Sequence, residues 1–335
     1  AIMHGVLREF LQRGSELTGP LRSTIIRLEG PARFSGEPLT ALYFGSGQNL
    51  GFLEQLFFES PQRATLASVG NPLRLRIGEK SRAFQADLLL GDLPPLWRAL
   101  LPNDAALRLP AWLSQVVDLP ESGALLPRKL EREVGRHCRQ RGYRVEFSGD
   151  EGDARHFYRE LYAPYLRSRF GLDAVVIPEA RMIAQLRGKI LAKLYQDDRW
   201  LLGLALAHER KVMRFGWFGS ARNPLPVGAS ETLDWLCIQH ARDSGARQVV
   251  MGSSRPCLSD GIVRYKLKFG ARFAATRLPP AQLAICLRTD QPAVFECLQR
   301  QPLIRVQRGL THVYRIEQAA QGARIVLQPL NADSG

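Results

Sequence analysis

The chain has 335 residues and a formal net charge of +14, enough length for two domains and a charge that suits anionic partners without dictating a fold. Its 45% hydrophobic and 23% charged residues are those of a globular protein, which excludes a largely disordered chain. The longest apolar run, LLGLALA at 201–207, is far short of the roughly 20 residues that cross a bilayer.

In chain order, VLREFLQRG at 6–14 has helical spacing, with Val6, Phe10 and Leu11 opposite Arg8 and Arg13. It reads as a short docked helix, with a membrane-surface helix as the alternative. The β-like segments STIIRLEG, TALYFGS, RATLASVG, LRLRIGE and AFQADLLLG follow, with an apolar helix, NLGFLEQLFFES, between the second and third. LPPLWRALLP and LPAWLSQVVDLP, broken by prolines, close a mixed α/β first domain over 1–125. Residues 126–150 read as a basic linker helix and strand. The helix carries Arg128, Lys129, Arg132, Arg136, Arg139 and Arg141 against Glu131 and Glu133. Its cations are either a solvated face or a row that tracks phosphates or an anionic surface.

A second domain is expected over 151–300, followed by C-terminal strands and a tail over 301–335. GDARHFYRELYAPYLRSRFG is a helix with an inward face of Phe157, Leu161, Tyr165 and Leu166, and Pro164 predicts a kink inside it. PEARMIAQLRG is the next helix. KILAKLYQ, RWLLGLALA and KVMRFGWFGS are strands joined by the short polar links DD and HER, which predicts an antiparallel meander. ASETLDWLCIQHARDSG is a helix closed by Gly245, ARQVVMGSS a strand, LSDGIVRYKLKFG a helix and ARFAATRL a strand. The order from 189 onward is therefore β-β-β-α-β-α-β, with a parallel crossover after the meander.

That order is similar to the GNAT acyltransferase core, and two motifs resemble its FemAB-like branch. In the first, Phe157, Tyr158, Tyr162, Pro164, Tyr165, Arg169 and Gly171 match a helix that precedes the second domain. In the second, Tyr265, Lys266, Phe269 and Gly270 match an aromatic–lysine pair before an aromatic–glycine. The resemblance implies an α/β fold of two GNAT-like domains, each a mixed central sheet flanked by helices. It implies transfer of an acyl group from acyl-coenzyme A, or of an aminoacyl group from aminoacyl-tRNA, to an amine of a cell-envelope or polysaccharide-pathway acceptor. A degenerate, non-catalytic binding partner is the remaining alternative. Through its aminoacyl-transferring members, the resemblance implies that Lys266 lies near the donor phosphate and reacting ester.

Acyl transfer to an amine needs a held donor, a base, a stabilised oxyanion and a proton for the leaving group. The expected donor loop is GSARNPLPVGAS, with Gly219, Gly228, Ala229 and Ser230 offering backbone N–H groups and Arg222 adding charge. Arg264 belongs to the same expected donor surface, within the cationic run Arg255, Arg264, Lys266, Lys268 and Arg272. Lys266 is expected at the edge of a buried stripe of Ile262, Tyr265 and Phe269, where it can stabilise charge. Tyr265 is a candidate leaving-group acid or else a packed core tyrosine. Asp260, Glu231 and Asp234 are the candidate bases, and helix-start acids are the plain alternative for Asp260 and Glu231.

The five cysteines have no metal-type spacing and no His-x-x-x-His occurs, so no metal site is expected. The cysteine pattern and the absence of a visible secretory leader fit a reduced cytoplasmic setting, with peripheral attachment to an anionic membrane surface as an extension.

Overall fold

The computed structural model describes residues 23–69, 86–93, 106–170, 176–222, 224–274, 282–287, 291–307, 310–319 and 322–330. The expected helix at 6–14, the LRLRIGE strand at 73–79 and the stretch 94–102 lie outside the described residues. The molecule is a mixed α/β protein whose chain divides into two interleaved units. The first comprises 1–113, 253–264 and 273–335, and the second 114–252 and 265–272.

The first unit is built on a six-stranded sheet in the order β3-β1-β2-β4-β13-β5. Its strands are β1 (Ser23–Pro31), β2 (Pro38–Gly45), β3 (Gln62–Val69), β4 (Leu88–Leu93), β5 (Ala106–Pro110) and β13 (Gln282–Leu287). β1 runs antiparallel to β2 and β3, β2 parallel to β4, and β13 antiparallel to β4 and β5. Between β2 and β3, α1 (Leu50–Phe57) buries Leu50, Leu53, Leu56 and Phe57 against Tyr43, Leu88, Leu90 and Ile285. Late in the chain, α8 (Pro292–Arg300) adds Val294, Cys297 and Leu298 to that core. The antiparallel ribbon β14 (Leu303–Gln307), β15 (Leu310–Ala319) and β16 (Gly322–Pro329) ends the unit.

The second unit carries a seven-stranded sheet in the order β12-β6-β11-β10-β9-β8-β7. Its strands are β6 (Leu113–Asp118), β7 (Arg144–Ser148), β8 (Ile190–Gln196), β9 (Arg199–Glu209), β10 (Val212–Ser220), β11 (Gln248–Ser254) and β12 (Arg272–Ala274). The expected meander is present, with β7, β8, β9 and β10 successively antiparallel. Asp197 and Asp198 both take positive φ, 47° and 60°, the geometry that lets a two-residue link join twisted strands. α6 (Ala229–Asp243) carries the chain from β10 to β11 in a parallel crossover, and α7 (Gly261–Lys268) leads from β11 to β12. The observed order β-β-β-α-β-α-β is the one read from the sequence.

Two helical features frame this sheet. α2 (Arg128–Arg141) packs Val134 and Gly135 inward and stops at Gly142, whose φ of 62° forms a left-handed cap. The long helix expected over 152–171 is three pieces: α3 (Glu151–His156), a π-helical turn (Phe157–Tyr162) and α4 (Ala163–Phe170). Ala163 N–H donates to the Tyr158 carbonyl, five residues back. Pro164 explains this, since it has no N–H to give and its ring would strike the carbonyl of residue 160 in a regular helix. The wider turn directs Phe157, Leu161 and Tyr162 into a cluster with Met182, Ile183 and Leu186 of α5 (Glu179–Leu186).

Candidate active site

β10 and β11 pair in parallel only at Val212↔Gln248, Met213↔Val249 and Arg214↔Val250. Both strands run on, but each becomes irregular at the same level. β10 shifts register against β9 between Phe215 and Phe218, and Gly252 of β11 has a φ of 71°, outside any strand conformation. The ladder between the two strands therefore stops at Arg214↔Val250, with α6 following the end of one strand and α7 the end of the other.

α6 and α7 meet through their side chains. α6 begins at Gly228, whose φ of 72° turns the chain into the helix, while the Tyr143 hydroxyl donates to the Val227 carbonyl just before it at 3.1 Å. Ala229, Thr232, Leu233, Cys237, Ile238 and Ala241 form its buried face. Asp234 lies beside that face and accepts a 2.7 Å hydrogen bond from the Tyr265 hydroxyl of α7. Lys266 is buried at 6% exposure, Tyr265 packs on Phe269 with ring centroids 5.2 Å apart, and Lys268 Nζ lies 4.0 Å from Glu231 Oε1.

Electrostatics in this group are set by burial. Asp234 keeps some solvent contact at its edge yet is enclosed by protein atoms. Desolvation pushes its carboxyl up to about 7, and Glu231 adds to the rise. The Tyr265 hydroxyl and the Lys266 charge act in the opposite direction. Burial, then the Asp234 charge, pushes the Tyr265 hydroxyl well above its ordinary value, so it stays protonated and remains a donor. A carboxyl poised near neutrality, fixed by one hydroxyl and placed near one buried cation, can take up and return a proton. The first turns of α6 also hold buried polar atoms without a partner among the described residues: Ser230 Oγ, Thr232 Oγ1 and Trp235 Nε1.

The expected site residues separate into several roles. Tyr265 and Lys266 are in this group, and Lys266 lies within the buried face rather than at its edge. The buried stripe of α7 runs through Val263, Lys266 and Phe269, while Ile262 is 46% exposed, one residue out of phase with the expectation. Asp260 caps α7, its Oδ1 accepting from the N–H groups of Ile262 and Val263 at 2.8 and 3.0 Å, and it counts with the first unit. Gly219 lies inside β10 rather than in a loop. A Cβ there would sit 2.8 Å from Tyr162 N and 2.9 Å from the Phe157 ring, so this glycine admits the π-helical turn. Arg222 shares a tight turn with Ser220, whose Oγ bonds both the N–H and the carbonyl of Arg222. Gly228, Ala229 and Ser230 do open α6, but Ala229 is wholly buried and its N–H is taken by the Pro226 carbonyl.

The cationic run is dispersed as well. Arg264 is exposed, and Arg272 forms a two-point pair with Asp118 at 2.6 and 3.0 Å that holds the Asp118 carboxyl below its usual range. Arg255 belongs to the first unit. Asp234, one of three base candidates in the sequence, is singled out only by tertiary burial, which leaves no local signal. Among the described residues no cluster of His, Cys, Asp and Glu is arranged to hold a metal ion, and no helix is long and apolar enough to cross a membrane.

No family model matches the chain, and no curated protein matches it. Among solved structures it is similar to the C-terminal domain of a putative lysylphosphatidylglycerol synthetase from Agrobacterium fabrum. The identity is 13%, over 82% of this chain and 83% of that one, with a TM-score of 0.40. It is similar to L-PGS from Bacillus licheniformis at 12% identity over 81% and 88% of the two chains, with a TM-score of 0.41. For FemX the values are 12%, 81% and 89%, with a TM-score of 0.42.

Proposed function

We propose that the second unit transfers an acyl or aminoacyl group from a phosphorylated donor to an amine, with an acyl-coenzyme A thioester as donor and a cell-envelope or polysaccharide-pathway molecule as acceptor. The observation that carries this reading is the Asp234–Tyr265 pair beside Lys266, on the two helices that follow β10 and β11. The amine nitrogen attacks the donor carbonyl, the new C–N bond forms, and the bond to the leaving sulfur or oxygen breaks. Asp234 as carboxylate accepts the proton lost by the amine, and Tyr265 holds that carboxylate in place. The same proton returns to the leaving group, so the carboxylate is regenerated and no other reactant is consumed. Lys266 supplies positive charge where the oxyanion develops.

A second reading, with aminoacyl-tRNA as donor, is favoured by α2. Arg128, Arg132, Arg136 and Arg139 fall on one exposed stripe, and among the described residues none of them forms an ion pair. The stripe spans about 17 Å at 1.5 Å per residue, longer than the phosphates of one coenzyme A require and suited to successive phosphates of a polynucleotide. α2 adjoins α6 directly, since a Cβ at Gly135 would lie 3.9 Å from the Trp235 ring.

Thermal unfolding of the full chain with acetyl-coenzyme A, a longer acyl-coenzyme A and aminoacyl-tRNA tests both readings, because a ligand bound to the native state alone raises the melting temperature. One of these donors is expected to raise it and to lose its acyl group to an amine acceptor. No shift with any donor would leave the non-catalytic reading in its place. Lys266→Ala is expected to lower turnover, and unchanged turnover would remove that residue from the mechanism.

A further inference from the structure

The first unit holds a built polar site that acyl transfer in the second unit does not use. Its base is Asp92, 2% exposed at the end of β4. Asp92 accepts from the Tyr43 hydroxyl at 3.2 Å, Ser46 Oγ at 2.9 Å, Asn49 N–H at 3.1 Å and Asn49 Nδ2 at 2.9 Å. Gly45, at a φ of 156°, makes room for this, since a Cβ there would lie 2.8 Å from the Tyr43 hydroxyl and equally close to the Asp92 side chain. Asn49 stands at the start of α1, but its side chain does not cap that helix. It spans two groups instead, donating to Asp92 and accepting from Arg255 Nη1 at 2.5 Å.

Arg255 is thereby fixed in one pose. Its Nη1 also donates to the Ala111 carbonyl at 3.3 Å, and its guanidinium lies 3.7 Å from the Trp112 ring centroid and 4.9 Å from that of Phe52. No carboxylate among the described residues is within ion-pair distance of it, and its other edge, Nε and Nη2, has no partner among them. Burial pulls its pKa down to about 10, a sign that desolvation is not offset by direct pairing. Trp112, 43% exposed, forms an open aromatic wall over the same group.

A guanidinium held between aromatic rings, with one edge bonded to protein and the other open, is a preorganised fork for a two-point oxyanion. We infer that Arg255, oriented through Asn49 and Asp92 and walled by Trp112, binds a phosphate or carboxylate group of a ligand in the first unit. The site stands whether or not the second unit transfers acyl groups, because it shares no residue with the Asp234 group.

The test is ³¹P NMR line broadening of inorganic phosphate by the full chain, with thermal unfolding alongside and acetate as the carboxylate probe. The wild-type protein is expected to broaden the signal saturably. Arg255→Lys keeps the charge but cannot bond Asn49 and a two-point anion together, so at least about tenfold weaker phosphate binding is expected. Arg255→Gln is expected to abolish it, whereas Lys266→Ala leaves it in place. Phosphatidylglycerol vesicles that compete with phosphate, where phosphatidylcholine vesicles do not, would assign the anion to a lipid headgroup. Glycerol 3-phosphate competing alone would assign it to a soluble ester. Wild-type affinity retained in folded Arg255→Lys, or no saturable broadening by the wild type, overturns the assignment. If Arg255→Gln does not fold, the lysine variant decides.

Discussion

Burial holds the Asp234 carboxyl near neutrality, so its proton sets the pH dependence of chemistry beside it. In the proposed transfer it is the base and must be ionised, so turnover is expected to rise through about pH 7. Asp234→Asn is expected to lower turnover by about 10²- to 10⁴-fold and to remove that rising limb; a limb that persists would assign it to another group. The same shift has a consequence for stability. The carboxyl has an ordinary value of 3.8 and is raised to about 7 in the fold, so between those values the native state holds a proton that the unfolded chain has released. Stability contributed by this group is therefore present at low pH and lost as pH rises through about 7. Relative to wild type, Asp234→Asn is expected to gain melting temperature between pH 4.5 and pH 8, and a constant difference across that range would contradict the assignment. Tyr265→Phe removes a group that holds Asp234 down. It is expected to move the limb to higher pH and to cost about 1 kcal/mol of stability in denaturant titration. Lys266 and Tyr265 were legible in the sequence through the motif around them. The phase of α7 was not, because so short a helix offers too few apolar positions to choose between Ile262 and Val263, and the choice falls to the surfaces it packs on.

Single glycines decide how elements fit. Gly203 on β9 and Gly219 on β10 both face the π-helical turn, and a side chain at Gly203 would collide with the Phe157 ring. Gly203→Ala and Gly219→Ala are each expected to destabilise the chain by about 1–3 kcal/mol through overpacking, measured as a lower urea midpoint with an unchanged m-value. A neutral result at both positions would mean that the turn can shift away from the sheet. Strands β7 to β10 and helices α2 and α6 were readable because period-two and period-3.6 patterns are local, and glycine and proline mark their ends. Pro164 signalled an interruption but not its form, since whether a proline kinks a helix or widens it into a π turn depends on the packing that Phe157 and Tyr162 find. The bend at Gly252 was equally hidden, because a glycine in a strand pattern does not reveal the sign of its φ.

Across the whole chain, the sheets exchange strands in sequence. β6 follows the first unit's strands yet joins the second unit's sheet, and β13 follows the second unit's strands yet joins the first. The sequence divided the chain in order, with 109–125 closing one domain and 151–300 forming another. A strand's pattern states which of its faces is buried but not which sheet buries it. Net charge is a property at this scale too, and α2 concentrates part of it. Reversing Arg132, Arg136 and Arg139 to glutamate is expected to weaken tRNA binding and to flatten its salt dependence, by up to about 0.7–0.9 in log–log slope for each phosphate no longer neutralised. Acyl-coenzyme A binding is expected to change little in the same variant. Equal tRNA affinity and slope in variant and wild type would remove α2 from donor binding.

Hydrogen–deuterium exchange of the full chain with and without donor tests the central claim most directly, because it reports where a donor is held without requiring the acceptor. Acetyl-coenzyme A or aminoacyl-tRNA is expected to slow exchange at 226–235 and 262–269, the segments that carry Asp234, Tyr265 and Lys266. Protection confined to other segments, or none with either donor at saturating concentration, would contradict it.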